Sequence, residues 1–163
     1  MVIADEENII FTTAADFISN SNQPVFLTGK AGTGKTTFLK YIKEHCKKNS
    51  VIVAPTGVAA INAGGTTIHS FFQLPFAPFV PVKKGWNKGE TVDKHRLLSK
   101  LRLNAERKEI MQQLELLIID EISMVRCDVL DAIDTVLRHT RNTPGRAFGG
   151  VQVLYIGDLY QLP

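Results

Sequence analysis

A chain of 163 residues with 44% apolar residues is sized for one domain with a substantial core. Its net charge of +3 is too small to indicate nucleic acid by itself, and its composition excludes a disordered or low-complexity chain. Asp5, Glu6 and Glu7 stand where a secretory leader would be basic and then apolar, so neither secretion nor membrane insertion is expected. Cys46 and Cys127 match no metal or redox spacing and read as structural thiols of a reducing compartment.

Periodicity predicts a first helix over 5–20, with Ile10, Ala14, Phe17 and Ile18 on one face, and then a turn at 20–23. Residues 24–28 read as a short buried strand, and 37–42 as an amphipathic helix. A second buried strand covers 51–54, broken by Pro55, and a short helix at 57–63 ends at Gly64-Gly65. The 74–89 stretch is loop-rich, yet Phe76, Phe79 and Trp86 are apolar surface that wants cover. Helical patterns resume near Lys94, and 116–120 is a third buried strand. A helix then carries Val129, Leu130, Ile133, Val136 and Leu137 on one face until Pro144-Gly145, and 151–156 is a further strand. Strands alternating with helices, most of them apolar on both faces, imply an α/β fold with a mostly parallel sheet and helices on both faces. Between residues 83 and 109, nine Lys or Arg against four acids suit either a polyanion or solvated helices.

Directly after the 24–28 strand, Gly29-Lys30-Ala31-Gly32-Thr33-Gly34-Lys35-Thr36 meets the phosphate-loop pattern G-x-x-x-x-G-K-[ST] at each fixed position. In such a loop successive backbone N–H groups turn inward on phosphate, and the helix N-terminus adds partial positive charge. Lys35 would reach the β- and γ-phosphates, and Thr36 would place its hydroxyl on Mg²⁺. Asp120 and Glu121 sit at the carboxyl end of an apolar strand, where open α/β sheets place ligand chemistry. There Asp120 suits Mg²⁺, and Glu121 suits orienting or deprotonating the attacking water. The 157–163 segment again follows a strand and delivers Gln161 to the same edge, though by itself it is equally an ordinary turn.

Five segments together resemble the petite-integration-frequency helicases, a RecD-like branch of superfamily 1. They are 29–37, Ala54-Pro55-Thr56-Gly57-Val58-Ala59-Ala60, Thr66-Thr67-Ile68-His69-Ser70-Phe71-Phe72, Ile119-Asp120-Glu121-Ile122-Ser123-Met124 and Gly157-Asp158-Leu159-Tyr160-Gln161-Leu162-Pro163, in the order of that family's motifs. The resemblance implies a RecA-like phosphate-loop ATPase domain over 1–163 that uses ATP and Mg²⁺ and tracks 5′ to 3′ on single-stranded DNA. It implies nucleotide contacts from Gly29, Ala31, Gly32, Thr33, Gly34, Lys35, Thr36 and Thr37, metal contacts from Thr36 and Asp120, and catalytic roles for Lys35, Glu121 and Gln161, the last as sensor. It implies DNA contacts from Thr56, Gly57, His69, Phe71 and Phe72, with at least one of the two phenylalanines expected to be buried.

Two departures follow from the same comparison. Family members usually carry a Gln that reads adenine ahead of the first strand; no residue here matches it, and Asn8 and Gln23 are the candidates. The second RecA-like domain, with its arginines, is expected to be absent from these residues, leaving the isolated fragment inactive or very weak. The resemblance implies an intracellular protein, cytoplasmic and nucleoid-associated in a prokaryote. Rival readings are another phosphate-loop ATPase or kinase, or a non-catalytic module that binds nucleotide or DNA.

Overall fold

The computed structural model describes residues 8–81, 91–158 and 160. Its central sheet has the strand order β1-β7-β6-β2-β3, formed by Val25–Thr28 (β1), Ser50–Ala54 (β2), Thr66–Thr67 (β3), Leu116–Ile119 (β6) and Gln152–Gly157 (β7). Every pairing in it is parallel, which sends all carboxyl ends to one edge. A separate two-residue parallel ladder joins β4 (Phe79–Val80) to β5 (Val92–Asp93).

Helices cover both faces because the central strands are apolar on both. In β6, Leu116 and Ile118 turn to one side and Leu117 and Ile119 to the other, all four fully buried. The first side packs on α1 (Ile9–Asn20), α2 (Lys35–His45) and Ala63 of α3 (Gly57–Ala63). The second side packs on α4 (Ile68–Phe72), α5 (Lys94–Lys100), α6 (Ala105–Gln113) and α7 (Cys127–Thr140). The expected α/β fold is the observed one. Among the described residues no helix is long and apolar enough to cross a membrane.

Two cations lock the layers together. Lys48 Nζ donates to the Ile18 and Ser21 carbonyls at the end of α1 and to Gln152 Oε1 (2.7 Å), while Gln152 Nε2 donates to Gln23 O (2.8 Å). The turn into β1 is thereby pinned to the sheet. Arg141, just past α7, donates to the carbonyls of Met111 (2.9 Å), Gln112 (2.6 Å) and Leu114 (2.9 Å), and to Gly149 O (2.9 Å). The first three are carbonyls at the end of α6, where the helix itself supplies no N–H.

Several expectations need correction. In α1 the inward stripe is Phe11, Ala14, Ala15 and Ile18, whereas Ile10 is 79% and Phe17 48% exposed. The helix after the phosphate loop starts at Lys35, two residues earlier than its apolar pattern. β1 is not a buried strand: it lies at the end of the sheet, with burial alternating along it and Phe26 44% exposed. The 129–137 helix ends at Thr140, before Pro144. The first turn expected at 5–7 and the whole 83–90 part of the basic stretch, Trp86 included, lie outside the described residues.

Candidate nucleotide and DNA site

The phosphate loop is built by backbone geometry. Gly34, the cap of α2, has φ +90, a left-handed conformation that a side chain disfavours, and no side chain caps the helix start. The first N–H groups of α2 therefore open into the loop. Lys35 Nζ folds back on the carbonyls of Gly29 and Lys30, the latter at 2.9 Å, and Thr33 Oγ1 closes the loop onto Lys30 O at 2.8 Å. Ala31, Gly32, Thr33, Gly34, Thr36 and Thr37 are exposed, and Gly29 is half-buried at the root of the loop.

Beside this loop lies a depression of about 310 Å³ lined by Asn8, Ile10, Phe11, Leu27, Phe38 and loop residues. Phe11 meets Phe38 edge to face at 5.0 Å and forms its wall. Asn8 reaches it because Asn8 caps α1, its Oδ1 accepting the Phe11 N–H at 3.1 Å. Gln23, the other candidate, instead gives its carbonyl to Gln152 at the opposite edge of the sheet.

Asp120 follows β6 and is half-buried, with its N–H donating to Val53 O (2.9 Å) and its Oδ1 accepting the Glu121 N–H (3.0 Å). Burial raises its carboxyl above the ordinary value of 3.8, against the pull of the Glu121 N–H and of the Lys35 charge. The parallel strands β1, β7 and β6 place the phosphate loop and Asp120 at one edge of the sheet. Glu121 is half-buried in the left-handed region (φ 52, ψ 46) and leads into a 3-10 turn, Ile122–Met124. Among the described residues only one carboxylate oxygen of Asp120 accepts a hydrogen bond, and Thr36 offers an exposed hydroxyl at the start of α2. This donor set suits Mg²⁺, which takes few protein oxygens when phosphate supplies others. Gln161 lies outside the described residues; Asp158 before it is buried, and its Oδ1 accepts the Tyr160 N–H at 3.0 Å.

At the same edge Thr56 caps α3, its Oγ1 accepting the Ala59 N–H (3.2 Å), with Gly57 exposed as the first residue of that helix. Thr67 caps α4 in the same way. Phe71 is 6% and Phe72 0% exposed, and the two rings meet edge to face at 4.9 Å within the core. Neither ring is available to stack on a base, so the expected DNA contact for this pair is corrected to core packing. His69 is half-buried and stacks on Phe76 (5.0 Å, 14° between planes), a ring that is 91% exposed. Sequence reasoning expected Phe76 to find cover as Phe79 does at 5% exposure; the structure leaves Phe76 bare, and its place beside His69 was missed. Its signal was a phenylalanine between two prolines in a loop, where no core periodicity accounts for it.

A PIF1-like helicase family model matches residues 2–163. The ATP-dependent DNA helicase PIF1 of Saccharomyces cerevisiae (strain YJM789) is 34% identical over 151 residues, which make up 90% of this chain and 16% of that protein. A crystal structure of Bacteroides Pif1 bound to ssDNA superposes with a TM-score of 0.80 at 45% identity, over 100% of this chain and 34% of that one. One of Bacteroides sp Pif1 in complex with ADP-AlF4 gives a TM-score of 0.79 at 45% identity, with 34% of that chain covered. The chain therefore spans about a third of these solved relatives and less of the curated ones. Since the matching model runs over the strands that carry the phosphate loop and the 120–121 carboxylates, the chain belongs to the PIF1-like helicase family.

Proposed function

We propose that these residues form the first RecA-like ATPase lobe of a DNA helicase, which binds Mg²⁺-ATP and couples its hydrolysis to 5′ to 3′ movement on single-stranded DNA and unwinding. The observation that carries the reading is that the phosphate loop after β1 and the Asp120–Glu121 turn after β6 leave the same carboxyl edge of the parallel sheet. Lys35 holds the β- and γ-phosphates on the 29–37 loop. Thr36 and Asp120 would hold Mg²⁺, which would draw charge from the phosphates. Glu121 orients the attacking water and accepts its proton. Gln161 senses the γ-phosphate. The base lies in the depression beside the loop, where the Asn8 amide is the polar group that reads it.

DNA passes over Thr56, Gly57 and His69 at the same edge, where N–H groups at the start of α3 suit phosphate and the His69 to Phe76 stack suits a base. A second RecA-like lobe of the longer protein would close the cleft and supply arginine to the transition state, a contribution of about 10³ to 10⁵ in rate in other phosphate-loop enzymes. Support comes from the family and from relatives solved with ssDNA and with ADP-AlF4.

A melting experiment with Mg²⁺-ADP tests the nucleotide site. Ligand at about one hundred times its Kd adds about 2.7 kcal/mol. For a chain of this size that raises Tm by about 5–11 °C. Lys35→Ala, measured against its own ligand-free Tm, should lose the shift. A wild-type chain whose Tm ignores saturating Mg²⁺-ADP would refute the reading.

A further inference from the structure

Asn8 has two duties that compete for one atom. It lines the depression of about 310 Å³ beside the phosphate loop, and it caps the start of α1. Both of its oxygens serve that helix: Oδ1 accepts the Phe11 N–H and the backbone carbonyl accepts the Thr12 N–H, each at 3.1 Å. The cap also fixes which end of the amide is which, since only the oxygen can accept an N–H. What the side chain has left to offer a base is a donor, the NH₂ group, without the matching acceptor.

The remaining lining is either hydrocarbon or part of the phosphate loop. Phe11 is held between Phe38 (5.0 Å) and Tyr41 (5.1 Å), and with Ile10 and Leu27 it gives a base an apolar wall. Thr33 Oγ1 and Lys35 Nζ are turned onto the Lys30 carbonyl at 2.8 and 2.9 Å. An amide selects adenine by using both ends at once, its oxygen accepting from the N6 amine while its nitrogen donates to N7. Guanine presents two acceptors on that edge, N7 and O6, and no donor. A side chain whose oxygen is committed to a helix start is therefore no worse suited to guanine than to adenine.

We propose that this site takes guanine nucleotides as readily as adenine nucleotides, because Asn8 meets the base with a donor alone. It rests on the reading of the 29–37 loop and the depression beside it as the nucleotide site, and widens the substrate class there to purine nucleotides. Helix cap and base selection are then one feature: the bond that starts α1 is the bond that removes the preference for adenine.

The test is calorimetric titration of wild type and Asn8→Asp with Mg²⁺-ADP and Mg²⁺-GDP, together with the ligand-free Tm of each. A complete amide pair favours its base about 5- to 150-fold, whereas wild type should bind the two nucleotides within about threefold of each other. Asn8→Asp keeps an acceptor oxygen to cap α1, so its ligand-free Tm should match wild type. It replaces the donor by a second acceptor, which opposes N7 and O6 of guanine but accepts from N6 of adenine, so GDP should lose about tenfold relative to ADP. The added charge acts on the phosphates of both nucleotides alike and cancels in that ratio. A wild type that prefers Mg²⁺-ADP by more than about tenfold would overturn the proposal. An Asn8→Asp ratio equal to that of wild type would overturn it too, being the mark of an asparagine that serves only the helix. A wild-type chain that binds neither nucleotide would instead bring down the reading of the nucleotide site, and the base selection with it.

Discussion

Replacing Phe72 and Phe76 separately by alanine distinguishes a core ring from a surface ring in one short segment. Phe72 is fully buried, edge to face with Phe71, in the cluster that joins α4 to the sheet. Truncating a buried phenylalanine costs about 3–5 kcal/mol in lost burial and residual cavity. Against a total stability of about 5–15 kcal/mol the chain stays folded near room temperature, but its Tm falls by about 6–20 °C. Phe76 is 91% exposed and gives up only its stack on His69, so Phe76→Ala should move the melt little. Its effect appears with DNA instead. One base stacked on an aromatic ring contributes about 1–3 kcal/mol, so Phe76→Ala should weaken single-stranded DNA binding about 5- to 150-fold. Melting curves and fluorescence anisotropy with a labelled oligothymidine at low salt measure both quantities. An unaltered affinity in Phe76→Ala would refute the assignment of the base contact. Lost affinity in Phe72→Ala with an unchanged melt would return that ring to the surface.

The raised pKa of Asp120 fixes a direction with pH. Its folded-state carboxyl lies above the ordinary value of 3.8, so its favourable contribution is complete below that value and is lost as pH rises through the folded pKa. At pH 7 the half-buried charge costs the ligand-free fold, and Asp120→Asn should melt at or above wild type there, the gap closing as the pH falls to about 4. A wild type more stable than the variant across the whole range would contradict the burial argument. Arg141→Met should lower stability by at least about 1.5–3 kcal/mol, the range for one hydrogen bond to a charged group, because it strips several carbonyls at once. Arg141→Lys should recover only part in a denaturant titration, since an ammonium cannot fork across them.

The sequence carried its clearest signals where one local rule decides. The phosphate loop, the all-apolar β6 and the glycine pair after α3 each need only neighbouring residues to be read, and each is present in the structure. Errors arose where tertiary position decides. A 3.6-residue period put Ile10 and Phe17 on the apolar stripe of α1, but the angle at which the helix lies on the sheet selects Phe11 and Ala15. Val-Phe-Leu-Thr has the composition of a buried strand, and only strand order reveals that it stands at the end of the sheet. Phe71-Phe72 and Phe76 are equally apolar as text; a five-residue helix capped by Thr67 turns the first two inward, and the prolines around Phe76 leave it outside. Asn8 was legible as a cap in principle, but its place beside the phosphate loop depends on how α1 packs against α2.

The end position of β1 bears on how the molecule behaves in a test tube. Along its outer side the strand pairs with no other among the described residues, and the Phe26 ring beside it is nearly half bare. Such a border is a template on which an unrelated extended chain can add a rung, the elementary step of precipitation. Four residues span only about 13 Å, which limits each encounter to a few rungs. For a purified sample this means reversible clumping that grows with protein concentration and eases when Phe26 is replaced by lysine, a charge at the rim being the usual safeguard against such stacking.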